Sequence, residues 1–156
     1  MASRPATVAM DRAAIERAIP HRSPYLFVDR VLLCTGDSVT AEWDIRHDMP
    51  ALAGHYPGSP VLPGALISEF TFQCAAILFA VPGAAAVVTT AIPVLAKIEE
   101  ARFKKMVAPG ETLHAVVETI EKLGPARFMK ALVTSDGETV ARLKFTVTLV
   151  EKRAGA

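Results

Sequence analysis

Residues 65–81 run for seventeen positions without a glycine or proline, and Glu69 is their only charge. Ile67, Phe70, Cys74, Ile77, Leu78 and Val81 cover more than one stripe at helical spacing, so the predicted helix is apolar nearly all round. Such a helix has no face to give to water, and the rest of the chain must wrap it. Pro63 suits its first turn and Pro82-Gly83 ends it. The charge-free stretch continues from Phe70 to Ala96, long enough to compare with the roughly 20 apolar residues that cross a bilayer. Pro82-Gly83, Thr89-Thr90 and Pro93 divide it into a helical half and a strand-like half, and Glu69 stands at its front edge, so no membrane span is expected.

What wraps the helix reads as strands. Residues 26–34 and 39–46 have strand character, and Thr35-Gly36-Asp37-Ser38 between them makes a hairpin turn. After the helix, residues 87–103, 112–123, 127–134 and 139–150 are punctuated by Pro109-Gly110, Gly124-Pro125 and Ser135-Asp136-Gly137. In the last run Ala141, Leu143, Phe145, Val147 and Leu149 alternate with Arg142, Lys144, Thr146 and Thr148, giving one core face and one wet face. Ahead of the strands, Asp11 caps a short helix over residues 13–19 that Pro20 stops, and residues 1–10 form a frayed, flexible N-terminus without the apolar core of a secretory signal. Between the hairpin and the long helix, the prolines and glycines of residues 49–64 forbid regular structure and fix an ordered loop. The expected architecture is α+β: one domain over residues 1–156, an antiparallel sheet wrapped around a central buried helix.

Composition narrows the function. With 51% hydrophobic and 21% charged residues the chain is too apolar to be disordered, and a net charge of +1 lacks the excess that holds nucleic acid or an anionic membrane. Any basic partner site must be local. Cys34 and Cys74, forty positions apart with no ligand at metal spacing, read as free buried thiols in a reducing cytoplasm, with no metal site. No phosphate loop or serine elbow is present.

Two residues carry usable chemistry. His55 lies in the constrained loop Gly54-His55-Tyr56-Pro57-Gly58, and Glu69 is the lone charge on the buried helix. A carboxylate in those surroundings either neutralises or finds a partner. A neutral carboxylic acid is a usable general acid and a neutral imidazole a usable general base. Taken singly, a histidine such as His55 is more often a hydrogen-bonded loop residue than a catalyst, and Glu69 is open to reading as a charge that faces solvent at an imperfectly buried turn.

The series Pro20-His21-Arg22-Ser23-Pro24-Tyr25-Leu26-Phe27-Val28-Asp29-Arg30-Val31, then Gly54-His55-Tyr56-Pro57-Gly58-Ser59-Pro60-Val61-Leu62-Pro63-Gly64, then Glu69 and Gln73, closely resembles the FabZ family of 3-hydroxyacyl-[acyl-carrier-protein] dehydratases. Ala101-Arg102-Phe103-Lys104-Lys105 and Pro109-Gly110 also resemble that family, and the likeness covers residues 15–150. The resemblance implies a hotdog fold, a homodimer with two shared active sites, and often a trimer of dimers. It implies dehydration of 3-hydroxyacyl-[acyl-carrier-protein] to the trans-2-enoyl form in fatty-acid or type II polyketide synthesis, without a cofactor. His55 matches the catalytic histidine and Glu69 the catalytic acid from the other subunit. The backbone N–H of Gly64, at the positive end of the helix, would polarise the thioester carbonyl. His21 and Arg22 would brace the loop ahead of the first strand.

Departures from that family fall on substrate length: Phe70-Thr71-Phe72 is bulkier than the family stretch, and Pro93 stands where many members have a tyrosine near the tunnel mouth. Phe70, Phe72, Gln73 and Pro93 are therefore the acyl-tunnel candidates. Glu69 separates the chain from the isomerising FabA branch, which resembles it but usually has Asp there. An acidic carrier protein would dock on Arg102, Lys104 and Lys105, with Lys152 and Arg153. The alternatives are a MaoC-type hydratase, which places Asp before His, an acyl-CoA thioesterase, and a non-catalytic partner subunit of a heterodimer.

Overall fold

Regular structure begins earlier than the sequence predicts. In the computed structural model, which describes residues 8–81 and 91–152, Val8–Met10 is already a strand, β1, and not part of a frayed end. Helix α1 (Arg12–Ala18) follows, its first turn capped by the Asp11 carboxylate, which accepts the Ala14 N–H at 2.8 Å. Ile15 is its buried anchor. Strand β2 (Arg30–Cys34) pairs antiparallel with β1, Val8 opposite Cys34 and Met10 opposite Val31.

The hairpin to β3 (Ser38–Asp44) forms as expected, with the Thr35 N–H donating to the Ser38 carbonyl at 2.8 Å. Its first strand is shorter than the apolar run suggests. Leu26, Phe27 and Val28 are buried, but the Phe27 N–H is satisfied by the Gln73 side chain at 2.8 Å, so these residues follow the central helix before they join the sheet. The proline-rich loop also holds one helical turn, α2 (Pro50–Ala53), because proline is at home in a first turn.

Helix α3 (Gly64–Ala80) is the predicted central helix. From Ile67 to Phe79 it is buried on every side except at Glu69 and Phe72, which are half-buried. The expected stop at Pro82-Gly83 and the start of the next strand at Val87 lie outside the described residues. Then come β4 (Ala91–Phe103), β5 (Thr112–Leu123), β6 (Ala126–Ser135) and β7 (Glu138–Glu151).

The seven strands form one antiparallel sheet in the order β1-β2-β3-β5-β6-β7-β4. Ala141, Leu143, Phe145 and Val147 of β7 are buried against α3, while Arg142 and Lys144 are exposed. Phe70 packs on Trp43 with ring centroids 5.6 Å apart, and Trp43 on Phe27 at 4.7 Å, joining helix, sheet and the segment before β2. This is the α+β hotdog arrangement. Among the described residues no helix is long and apolar enough to cross a membrane. Strand β4 is an edge: it pairs with β7 and has no neighbour on its other side among the described residues.

Candidate active site

His55 sits on a loop whose backbone is pinned at several points. Tyr56 adopts a left-handed φ of 56°, Gly58 one of 85°, and the Leu62 N–H ties the far side of the loop to the Val107 carbonyl at 2.8 Å. His55 Nδ1 lies 2.6 Å from the Val61 carbonyl. A carbonyl only accepts, so Nδ1 carries the proton and Nε2 of the neutral ring holds a free lone pair. The ring borders an apolar cleft of about 610 Å³ with Val61, Gly64, Ile67, Phe103 and Met106. Gly64 opens α3, so its N–H is among the first-turn amides without an intrahelical acceptor. A Cβ at this position would meet the Phe103 ring at 3.2 Å, so glycine keeps that end of the cleft open.

Glu69 lies one turn further along α3. Of the two outcomes open to a carboxylate on a buried helix, this one has found partners. Gln73 Nε2 donates to Glu69 Oε1 at 3.0 Å and to the Tyr25 carbonyl at 2.9 Å, while Gln73 Oε1 accepts the Phe27 N–H. His21 Nε2 stands 3.7 Å from Glu69 Oε1, and its Nδ1 is buried without a partner among the described residues. The Tyr25 phenol is pushed above its ordinary range, first by desolvation and then by the Glu69 charge. Glu69 borders its own cleft of about 230 Å³ with His21, Phe72, Ala76, Pro93 and Val147.

The two expected catalytic residues thus line separate clefts of one chain. The tunnel candidates divide as well. Phe72 and Pro93 line the Glu69 cleft, with Phe72 resting edge-on against Phe145 at 4.9 Å. Phe70 does not: it is fully buried in the core beside Trp43. Gln73 is fully buried too, and its three hydrogen bonds make it a clamp for Glu69 and the Tyr25–Phe27 backbone, not a tunnel wall.

Among the docking candidates, Arg102 is paired with Glu100, and Lys105 with Glu111 at 2.9 Å and Glu138 at 3.4 Å. Partial burial raises Glu111, but the Ala108 N–H, the Ser135 hydroxyl and Lys105 outweigh it and hold the carboxyl at about 2. Lys104 is exposed and in no ion pair among the described residues, Lys152 is exposed, and Arg153 lies outside the described residues. Sequence reading missed Ala76 as a lining residue, although its spacing of seven from Glu69 places it on the same helical face.

Comparison with known proteins bears on this arrangement. Residues 19–144 match the model of the FabA-like domain family. A 3-hydroxyacyl-[acyl-carrier-protein] dehydratase FabZ from Myxococcus xanthus is 38% identical over 148 residues, covering 94% of this chain and 96% of its own. One of the same name from Clostridium perfringens is 40% identical over 124 residues, 80% of this chain and 87% of that protein. The dehydratase heterocomplex ApeI:P from Xenorhabdus doucetiae shares the fold, with a TM-score of 0.73 at 15% identity over 88% of this chain and 91% of that one.

Proposed function

Because the chain belongs to the FabA-like family, we propose that it removes water from 3-hydroxyacyl thioesters carried on acyl carrier protein, giving trans-2-enoyl thioesters in fatty-acid synthesis. His55 Nε2 takes the C2 proton, the Gly64 N–H meets the charge that develops on the thioester oxygen, and the Glu69 carboxyl, protonated once bound substrate shields it from water, gives its proton to the departing 3-hydroxyl. The C2–H and C3–O bonds break, the C2=C3 bond forms, and water leaves. The proton taken by His55 returns to Glu69 through solvent.

One observation carries the shared site: both clefts flank β4, which has no strand partner on its outer edge among the described residues, and they lie at its opposite ends. Phe103, at the end of β4, lines the His55 cleft, whereas Pro93 and Leu95, near its start, line the Glu69 cleft. If β4 pairs antiparallel with β4 of a second copy, opposite ends meet, and the His55 cleft of one copy abuts the Glu69 cleft of the other. Leu95, Ile98 and Phe103 are exposed large apolar residues on this strand, and that contact would cover them. The functional unit is therefore a homodimer, which three copies would extend to a trimer of dimers. An acidic carrier protein would dock beside the His55 cleft, with Lys104, in no ion pair among the described residues, flanked by Arg102 and Lys105, whereas Lys152, next to Glu151 opposite Ala91, stands at the other end of β4 and would reach that cleft only from the second copy.

The test is intact-protein mass spectrometry of 3-hydroxyacyl carrier proteins incubated with the enzyme, where loss of one water is expected. His55→Ala and Glu69→Gln should each nearly abolish that loss. Full turnover by either folded variant rejects the assignment.

A further inference from the structure

The Glu69 cleft does not end where the acid does. A second cleft, also of about 230 Å³, lies against α3 and shares two lining residues with the first, Ala76 and Pro93. Its far wall contains Phe79, Ala80 and Leu149. Glu69, Phe72, Ala76, Phe79 and Ala80 follow one another at helical spacing, so the two clefts run along a single face of α3. At 1.5 Å per residue that face extends about 16 Å from Glu69 to Ala80. The opposite wall is continuous as well, because Pro93 and Leu149 are paired residues of β4 and β7. The far wall is firm: the Arg127 guanidinium lies 4.1 Å over the Phe79 ring, and both side chains are buried.

The neck between the clefts is therefore an alanine on the helix facing a proline on the sheet. From this we propose that Ala76 is a specificity-determining residue for acyl length. Its methyl group leaves the neck open, so a long acyl chain passes from the reacting end at Glu69 into the second cleft and stops against Phe79. The proposal rests on the dehydratase reading, which makes an acyl chain the occupant. The second cleft fits it: of its lining side chains only Arg17, on α1, is polar, and the wall that α3, β4 and β7 present, Ala76, Phe79, Ala80, Pro93 and Leu149, offers an apolar chain no side-chain hydrogen-bond donor or acceptor. The enzyme should favour long over short acyl groups, and Ala76→Phe should close the neck.

The experiment measures kcat/KM for carrier proteins loaded with 3-hydroxybutyryl through 3-hydroxyhexadecanoyl groups. In parallel, calorimetry measures binding of saturated acyl-pantetheine thioesters of the same lengths. One methylene in an apolar pocket changes discrimination by about 10- to 200-fold. Ala76→Phe, which excludes several methylenes, should lower the long-to-short ratio of kcat/KM at least tenfold. Ala80→Phe, at a half-exposed position beyond the neck, should lower it at the longest acyl groups only; it serves as the second variant if a ring at Ala76 prevents folding. An equal fall at every length in a folded variant, or an unchanged long-to-short ratio in both variants, overturns the proposal. If the unaltered protein dehydrates nothing, yet long acyl-pantetheines bind and Ala76→Phe removes that length dependence, the groove stands and the dehydratase reading falls. Absence of both turnover and length-dependent binding overturns both.

Discussion

Replacing Gln73 with methionine isolates what the buried amide contributes. Methionine has nearly the same length and volume, so the cavity term is small and the loss is polar. Three hydrogen bonds go. The Phe27 N–H is buried and keeps no other acceptor, which costs about 1–3 kcal/mol. The Tyr25 carbonyl is only partly buried and water can replace its donor, so it adds little. The bond to the Glu69 carboxylate belongs to a charge-assisted class worth about 1.5–3 kcal/mol. The Glu69 side chain is 20% exposed, so solvent recovers part of that value. The expected destabilisation is about 2–4 kcal/mol, or about 4–16 °C in Tm for a domain of this size. Urea unfolding can be followed by the fluorescence of Trp43, the single tryptophan, which packs between Phe27 and Phe70. In the same variant kcat should fall while KM changes little, because Glu69 loses its orientation. Glu69→Gln separates the two effects: its amide oxygen still accepts from Gln73, so stability should hold within about 1 kcal/mol while activity is lost. A Gln73→Met variant as stable as the unaltered protein would refute the clamp.

Three further outcomes follow from side chains already placed. Phe70→Ala should cost about 3–5 kcal/mol in urea unfolding and leave acyl-length preference unchanged, whereas Phe72→Ala should shift that preference at a smaller cost; the reverse pattern would exchange their roles. Glu111 is held at about 2 against an ordinary 4.5, so its folded-state value is depressed and its stabilisation, complete above 4.5, is lost as pH falls toward 2. Glu111→Gln should therefore lower Tm near neutrality and lower it progressively less in acid, and a constant difference would refute the ion-pair account. Burial pushes the Cys34 thiol up to about 11 and Cys74 further still, so iodoacetamide near pH 8 should label neither in the folded protein and both in urea, as read by intact mass.

How much of this could be read from the sequence depends on whether the deciding contacts are local. The central helix was legible because an unbroken apolar run needs no partner to declare itself, and the hairpin turn because Thr35 and Ser38 bond each other. Strand β1 was not legible: Val8–Met10 becomes a strand only because β2 lies beside it. The stretch before β2 has a strand's composition, yet its amide goes to Gln73, forty-six positions away. His55 and Glu69 stood out as candidates because their chemistry is unusual for their surroundings, and each lines a cleft. Phe72 shares the face that Glu69 marks and Phe70 lies about 100° round, but on a helix apolar all round that spacing alone does not say which ring the sheet covers, so both stood as tunnel candidates, and the packing of Trp43 on Phe70 decides between them. Lys105 read as a free cation because Glu111 and Glu138 reach it from other parts of the chain.

Each chain holds the proposed base and the proposed acid in place without help: the Val61 carbonyl fixes the His55 tautomer, and Gln73 fixes Glu69. A second copy then needs to supply only proximity, and that makes subunit mixing quantitative. In the proposed dimer each site takes His55 from one copy and Glu69 from the other. A hybrid of His55→Ala with Glu69→Gln therefore has one site with both residues intact and one with neither. Equal mixing with free exchange makes half the dimers hybrid, each with one working site of two, so recovery should approach about one quarter of the unaltered activity. Native mass spectrometry counts the hybrids, and the water-loss assay reads the activity on the same sample. Recovery proportional to the hybrid fraction supports the shared site. No recovery at a verified hybrid fraction of one half would mean that His55 and Glu69 act within one chain, and the edge-to-edge pairing of β4 would have to be abandoned.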